Sequence, residues 1–266
     1  MKLSVSNIAW DSDQDKKVYS FLFSNSIKGI EVAPTRLFPN NPYSHNHEAY
    51  DFAKKIKELY DLSICSLQSI WFGKNESMFV SEKSLNEYID YTIRAIDFAH
   101  SCNCKNIVFG NPKQRSLLEP EDYNRAIRFF SIVGERAVAD DVIIAIEPNP
   151  IIYGTNLLNR TDQVLEFVTS MNMQSIRINF DIGTFIQNEE DNILIEKSLP
   201  WINHIHLSEP NLCNIQIRPT HKMIHKILKN SCYNRWVSLE MKKTSSLNDL
   251  FRSIKYMKGV FNDNQY

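Results

Sequence analysis

The sequence lacks the features of several specialised classes of protein. It has five cysteines, an odd number without paired spacing, which indicates a reducing compartment rather than a disulfide framework. No apolar run is long enough to cross a membrane, and the run at the amino terminus is too short for the core of a signal peptide. We therefore expect a cytoplasmic protein without a membrane partner.

An excess of basic residues is also missing. The formal net charge is −1, whereas a protein that neutralises nucleic-acid phosphates needs a basic surface. Neither a Gly-x-Gly-x-x-Gly pattern nor a phosphate-loop motif follows the first predicted strand. These absences argue against nucleic acid as a partner and against an open, doubly wound dinucleotide-binding sheet.

The sequence does contain a regular alternation of strand and helix patterns. At 266 residues, with 43% of them hydrophobic, the chain can bury a sizeable core. Eight apolar strand patterns are each followed by an amphipathic pattern, and continuous alternation of this kind predicts a parallel sheet. Because eight such units close a barrel, we predict one α/β domain over residues 1–266, a (β/α)8 TIM barrel.

The last four predicted strands end on side chains that can ligate a metal ion. The run from Val142 is stopped by Pro148, so the carboxylate of the intervening glutamate lies at the carboxyl end of its strand. Such ends meet at one rim of a barrel, where three carboxylates would repel one another unless a cation bound them. Mixed oxygen and nitrogen donors suit Mn²⁺, Mg²⁺, Co²⁺ or Zn²⁺. The donors are Glu147, Asp181, either His204 or His206, and Glu240.

In the order of its strands and in these strand ends, the whole chain resembles the xylose-isomerase-like barrels. That superfamily holds sugar isomerases, ketose epimerases, sugar-phosphate epimerases, inosose dehydratases and abasic-site endonucleases. The resemblance implies that His206, the later histidine of the pair, completes the ligand set of one divalent ion, with Mn²⁺ as the leading candidate. It also implies that Glu147 and Glu240 act as an acid/base pair on opposite faces of the substrate.

The chain departs from the family pattern at two positions. Thr184 stands where many relatives have a histidine three residues after the aspartate of strand six. Tyr153 stands where epimerases of free ketoses commonly have a glutamate six residues after the ligand of strand five. At both positions, the chain resembles more closely the branches of the family that act on phosphorylated or otherwise substituted sugars.

The implied chemistry is proton transfer next to a carbonyl. A divalent ion that binds a carbonyl and a neighbouring hydroxyl acidifies the adjacent C–H and stabilises the enediolate, and a carboxylate takes the proton. We expect an isomerase or epimerase of a sugar or sugar derivative, phosphorylated or not. A lyase that dehydrates an inosose or a keto-sugar acid is the first alternative, and a non-catalytic sugar-binding barrel is the second. The sequence is compatible with a homo-oligomer.

Six further residues are candidates for contacts with the substrate. Two cations after strand four could hold a phosphate or carboxylate, and an indole after strand three could stack on a sugar. Solvated or structural loops are the alternative for these positions. Glu31, inside strand two, is expected to be a buried hydrogen-bonding group rather than a catalytic one. The six candidates are Gln68, Trp71, Lys113, Arg115, Asn156 and His204.

Overall fold

Eight parallel strands form a closed barrel in the computed structural model, which describes residues 1–262. Each strand pairs with the next along the chain, and the eighth pairs with the first. The predicted (β/α)8 barrel is therefore confirmed. The strands are β1 Lys2–Ser6, β2 Gly29–Val32, β3 Ser63–Leu67, β4 Asn106–Phe109, β5 Ile143–Ile146, β6 Ile176–Asp181, β7 Ile202–Leu207 and β8 Trp236–Leu239.

Ten α-helices of the described chain surround this sheet or connect its strands. None of the helices within residues 1–262 has the length and apolar character that crossing a membrane requires. The helices are α1 Asp15–Ser24, α2 Pro34–Leu37, α3 Asn46–Tyr60, α4 Glu82–Ser101, α5 Asp122–Ala139, α6 Thr161–Met171, α7 Ile182–Gln187, α8 Asn192–Ser198, α9 Pro219–Asn230 and α10 Leu247–Phe261.

Two helix starts differ from the sequence prediction. The pattern predicts a helix from Glu119, but α5 begins at Asp122 because the carboxylate of Asp122 accepts hydrogen bonds from the main-chain N–H groups of Leu118 and Glu119. Those residues therefore form a capping turn ahead of the helix. The sequence also predicts Thr161 as an N-cap, since threonine favours that position, but Thr161 is the first residue of α6.

Along each strand the side chains alternate between two environments. On β7, the apolar Ile205 and Leu207 pack into the hydrophobic layer between sheet and helices, whereas His204 and His206 point towards the barrel axis. The register of β6 against β7 sets Asp181 beside His206. Polar strand residues are thereby collected inside the barrel, and those nearest the carboxyl ends of the strands meet at one rim.

Candidate metal centre and active site

Four side chains from consecutive strands meet at the carboxyl rim of the barrel. Glu147 follows β5, Asp181 ends β6, His206 lies near the end of β7, and Glu240 follows β8. Each offers one ligand atom, and these atoms all lie within 4.8 Å of one another. The geometry thus brings together the four residues that the sequence and the family resemblance select as ligands.

Hydrogen bonds orient Asp181 from two sides. Its Oδ1 accepts from the main-chain N–H of Thr184 at 2.5 Å, and its Oδ2 accepts from the hydroxyl of Ser208. Thr184 in turn donates its hydroxyl to the carbonyl of Pro148 at 2.9 Å. Thr184 therefore connects the start of α7 to the loop after β5.

Glu147 is held by two asparagine amides. Asn179 Nδ2 donates to Oε1 at 2.8 Å, and Asn149 Nδ2 donates to Oε2 at 2.9 Å. His206 Nδ1 lies 2.8 Å from the same Oε1 and 3.1 Å from Oε2 of Glu240. The carboxylates and the imidazole thus belong to one hydrogen-bonded network, which restricts the orientation of each of these side chains.

The electrostatics of the cluster favour a bound cation. Burial, followed by repulsion from Glu147, raises the pKa of Asp181 to about 6. Burial likewise raises the pKa of Glu240 to about 7. Burial also acts to raise the pKa of Glu147, but the hydrogen bond and charge of His206 outweigh it and hold that pKa below its usual value. Without a metal, protons must relieve part of the crowding of negative charge, and a divalent ion bound by these oxygen and nitrogen donors would do the same.

A cavity of about 740 Å³ opens above the cluster. Glu147, Asp181 and Glu240 line it, together with residues from the loops that follow β3, β4, β5, β7 and β8. This volume lies within the range of pockets that bind small molecules. Two buried acceptors at this site, Oδ1 of Asn149 and Oδ1 of Asn179, have no hydrogen-bond partner among the described residues. Asn149 lines the cavity, so its Oδ1 is available to a hydroxyl group of a bound molecule.

Three of the six candidate substrate contacts line the cavity, namely Gln68, Trp71 and Lys113. The Trp71 side chain, however, is fully buried, and its indole N–H donates to Thr92 Oγ1 at 2.9 Å. Its ring packs in an aromatic cluster with Phe109 and Phe129. This packing argues against the predicted stacking of Trp71 on a sugar, because its ring is already occupied by protein contacts.

Arg115, predicted as an anion-binding residue, is not among the described residues that line the cavity. The loop after β4 folds inward, so that the side chain is fully buried and donates to the main-chain carbonyls of Phe109, Glu147 and Leu158. Burial lowers the pKa of its guanidinium to about 10. Arg115 therefore fastens the loops after β4 and β5 to each other beneath the rim.

Asn156 and His204 are also away from the described cavity lining. The amide of Asn156 is exposed and makes hydrogen bonds with the main chain of Leu117, so it joins two neighbouring loops. His204 is buried two residues deeper than His206 on the same strand, where its Nε2 lies 2.8 Å from Ser238 Oγ. A position near the rim in sequence therefore did not bring either side chain into the described cavity lining.

Several residues that complete the site were not selected from the sequence. Asn179 had a usable signal, since it shares a strand face with Asp181 two residues later. Asn149 lies between two prolines in the motif that ends β5. Ser208 and the exposed Lys242, which lines the cavity, carried no spacing signal. Tyr153 also lines the cavity, and its hydroxyl accepts from the N–H of Asn211 at 2.7 Å, which joins the loops after β5 and β7.

Comparison with known families assigns this architecture. The sequence model of the xylose isomerase-like TIM barrel family matches residues 24–259. The chain belongs to this family. The resemblance drawn from the strand ends is thereby confirmed, and the barrel, the rim and the cavity described above are those of a xylose isomerase-like TIM barrel.

Proteins similar to this xylose isomerase-like barrel include a dehydratase and several epimerases. An inosose dehydratase of Bacillus thuringiensis (strain Al Hakam) is 24% identical over 232 residues, which cover 79% of this chain and 71% of the relative. A 3-keto-D-glucoside 4-epimerase from E. coli superposes with a TM-score of 0.78 at 14% identity, covering 97% of this chain and 99% of the other. A D-psicose 3-epimerase superposes with a TM-score of 0.79 at 13% identity, covering 98% and 99%. At these identities, the structural matches demonstrate a shared fold.

Proposed function

We propose that the protein is a divalent-metal-dependent enzyme that epimerises or isomerises a sugar or sugar derivative. The observation that carries the proposal is the convergence of Glu147, Asp181, His206 and Glu240, with ligand atoms within 4.8 Å of one another. The three carboxylate residues line a cavity of small-molecule size. The similarity to sugar epimerases and to inosose dehydratases supports a carbohydrate substrate.

The four converging residues would hold one divalent ion, for which we propose Mn²⁺, with Mg²⁺, Co²⁺ or Zn²⁺ as substitutes. Such an ion, when bound, polarises a substrate carbonyl and makes the neighbouring C–H more acidic. Three carboxylates and one imidazole suit these ions, and the raised pKa values of Asp181 and Glu240 mark a site that gains from added positive charge.

Glu147 and Glu240 are the proposed proton carriers. Glu147 favours its ionised form and suits the role of base, and Glu240, which lines the same cavity, is the proposed second carboxylate that exchanges the proton. Glu147 Oε1 faces His206 and its Oε2 faces Asn149, so the two oxygens can serve ligation and proton transfer separately. Transfer from one face of the substrate and return from the other inverts a carbon, which is epimerisation.

Dehydration is a second candidate, favoured by the 24% identity to inosose dehydratases over 232 residues. The same carboxylates would then remove a proton and protonate a departing hydroxyl group. In either reaction, the exposed ammonium groups of Lys113 and Lys242, on loops at the cavity, are the proposed contacts for an anionic substituent.

The test replaces each proposed proton carrier by its amide. With Mn²⁺ present, ketoses, 3-keto-glucosides and inososes are incubated with the enzyme in D₂O, and deuterium uptake and loss of water are followed by NMR and mass spectrometry. Because the amide cannot accept the proton, Glu147→Gln and Glu240→Gln should lower turnover about 10²–10⁴-fold. Deuterium uptake without loss of water identifies epimerisation or isomerisation, and loss of water identifies dehydration.

Glu190→Gln is the matched control, because this buried glutamate outside the cavity accepts hydrogen bonds from Thr161 N and Asn188 Nδ2. Its turnover should equal that of the unaltered protein. Full activity in Glu147→Gln would remove that residue from the mechanism. Purified protein that binds no stoichiometric Mn²⁺ would instead favour the non-catalytic sugar-binding barrel.

A further inference from the structure

A second carboxylate lies beneath the metal cluster, inside the barrel. Glu31 of β2 is fully buried, and its Oε2 lies 3.0 Å from His206 Nε2 and 3.3 Å from His204 Nε2. Its ion-pair partners within residues 1–262 are these two histidines. A carboxylate is costly to bury without such partners, so the pairing indicates that the role of Glu31 is to interact with the two imidazole rings.

His206 is thereby held between carboxylates at both ring nitrogens. Nδ1 faces Glu147 and Glu240 at 2.8 and 3.1 Å, while Nε2 faces Glu31. A ring that ligates the rim metal through Nδ1 carries no hydrogen on that nitrogen, so its one hydrogen lies on Nε2, where Glu31 accepts it. The lone pair is then on Nδ1, directed towards the three carboxylates of the rim.

We propose that Glu31 is a positioning residue for His206, which fixes its Nε2–H tautomer and its ring orientation so that Nδ1 serves as a metal ligand. This inference rests on the metal site of the proposed function. A hydrogen-bonded carboxylate behind a ligating histidine also raises the basicity of the ligand, and loss of such a partner weakens metal binding about 10–100-fold in comparable sites.

A second metal ion is the competing interpretation of the same residues. Glu31, His204 and His206 offer ligand atoms that lie within 4.8 Å of one another. If His206 already ligates the rim metal through Nδ1, a second ion on Nε2 would require the ring to lose its remaining proton. Ser238 Oγ, 2.8 Å from His204 Nε2, already gives that histidine a neutral partner. The arrangement therefore favours a single metal ion at the rim over two metal ions. Glu31 and His204 then lie below that ion as hydrogen-bonding groups.

The test compares Glu31→Gln with Glu190→Gln, which makes the same change at a buried glutamate that touches none of the four ligands. Isothermal titration with Mn²⁺ should give one equivalent bound by the unaltered protein. The Kd should rise about 10–100-fold in Glu31→Gln and remain unchanged in Glu190→Gln. Circular dichroism establishes that each variant is folded, and Glu31→Asp, which keeps the charge, should recover part of the affinity.

The tautomer of His206 gives a direct readout even if Glu31→Gln does not fold. Long-range ¹H–¹⁵N spectra of the Zn²⁺-loaded protein should show hydrogen on Nε2 of His206. A hydrogen on Nδ1, or equal Mn²⁺ affinity in both glutamine variants, would overturn the inference. So would two equivalents of bound metal, one of which is lost in Glu31→Gln. If the unaltered protein binds no divalent ion at all, the metal site of the proposed function fails first, and the two failures are thereby distinguished.

Discussion

Two regions of the barrel differ in the chemistry of their buried residues. The layer between the sheet and the helices is apolar and aromatic, with Phe109, Phe129 and Phe130 fully buried at its centre. The inside of the barrel instead buries serine, asparagine, histidine and glutamate, although branched apolar side chains usually fill it in this fold. The outer layer can stabilise the protein by apolar burial, whereas the interior mainly orients polar groups.

The polar interior is organised as a chain of hydrogen bonds that descends from the rim. Below Glu31 and His204, Ser238 Oγ pairs with Ser4 Oγ at 2.5 Å. On another side, Asn106 donates to Ser66 Oγ at 2.9 Å. Such buried groups are costly when unpaired and restrict one another when paired, so the interior can hold the rim carboxylates in place. The comparison predicts that changes in the two regions have separable effects on stability and turnover.

The largest effect on stability should come from the apolar layer. Phe129→Ala removes a fully buried ring that packs against Trp71 and Phe109, and the cavity that is left should lower the free energy of unfolding by about 3–5 kcal/mol. Urea denaturation measures the loss, and turnover per folded molecule should stay unchanged. Normal stability with impaired turnover would contradict the separation of the two regions.

A change at the rim should reduce turnover and leave the free energy of unfolding almost unchanged. At Gly110, a Cβ would lie 2.8 Å from Glu147 Oε2, and the end of that flexible side chain can move more easily than the backbone. Gly110→Ala should therefore displace the carboxylate and reduce turnover about 100-fold, equivalent to about 2.7 kcal/mol of activation free energy. The free energy of unfolding should change by less than about 1 kcal/mol.

Gly259→Ala provides the control for Gly110→Ala, because a Cβ at that position of α10 would meet nothing within 4 Å. Steady-state kinetics and urea denaturation should show it unchanged in turnover and equal or higher in stability. If Gly110→Ala retained full turnover, Glu147 would not need the position that it occupies here, and its role as base would be in doubt.

The two regions also differ in how far the sequence predicts them. Alternating apolar residues predicted the strands and hence the outer layer, and the parallel order predicted that Glu147, Asp181 and Glu240 would share a rim. Periodicity carries no information on the conformation of a loop. The inward fold of the segment that buries Arg115, and the contact of Asn156 with a neighbouring loop, depend on tertiary packing, so the sequence could not predict where either side chain lies.

The depth of a side chain inside the barrel was equally hard to predict. His204 and His206 share a strand face, so alternation cannot separate a residue at the rim from one a layer below it. The family resemblance selected His206, and the structure shows the physical difference: His206 contacts Glu147 and Glu240, whereas His204 contacts Ser238. The register between β6 and β7 decides this, and it is set by pairing of the strands rather than by local sequence.

The smallest effect that we expect is a dependence of stability on pH that originates in the polar interior. In the metal-free protein, burial raises the pKa of Asp181 to about 6 and that of Glu240 to about 7. Both groups therefore bind protons more tightly in the folded than in the unfolded chain, and their contribution to the free energy of unfolding should fall as the pH rises through this interval. Burial acts to lower the pKa of His206, but Glu240 and Glu31 hold it well above its usual value, and loss of that proton has the same sign.

We expect this contribution to decrease by about 1–2 kcal/mol between about pH 5 and about pH 8, less than independent groups would give, because these groups share protons with one another. Burial lowers the pKa values of His204 and His221, which changes stability in the opposite direction, so the contribution is read from the difference between the unaltered protein and Glu240→Gln. Calorimetry in EDTA measures this decrease, and Glu240→Gln should reduce it by removing one titrating carboxyl group. Excess Mn²⁺ should reverse the trend, since metal binding requires deprotonated ligands and strengthens as the pH rises. Equal dependence of stability on pH in the unaltered protein and in Glu240→Gln, both in EDTA, would show that this carboxylate is not crowded. The repulsion between carboxylates that favours a bound cation would then be absent. In that respect the polar interior would not differ from the apolar layer around it.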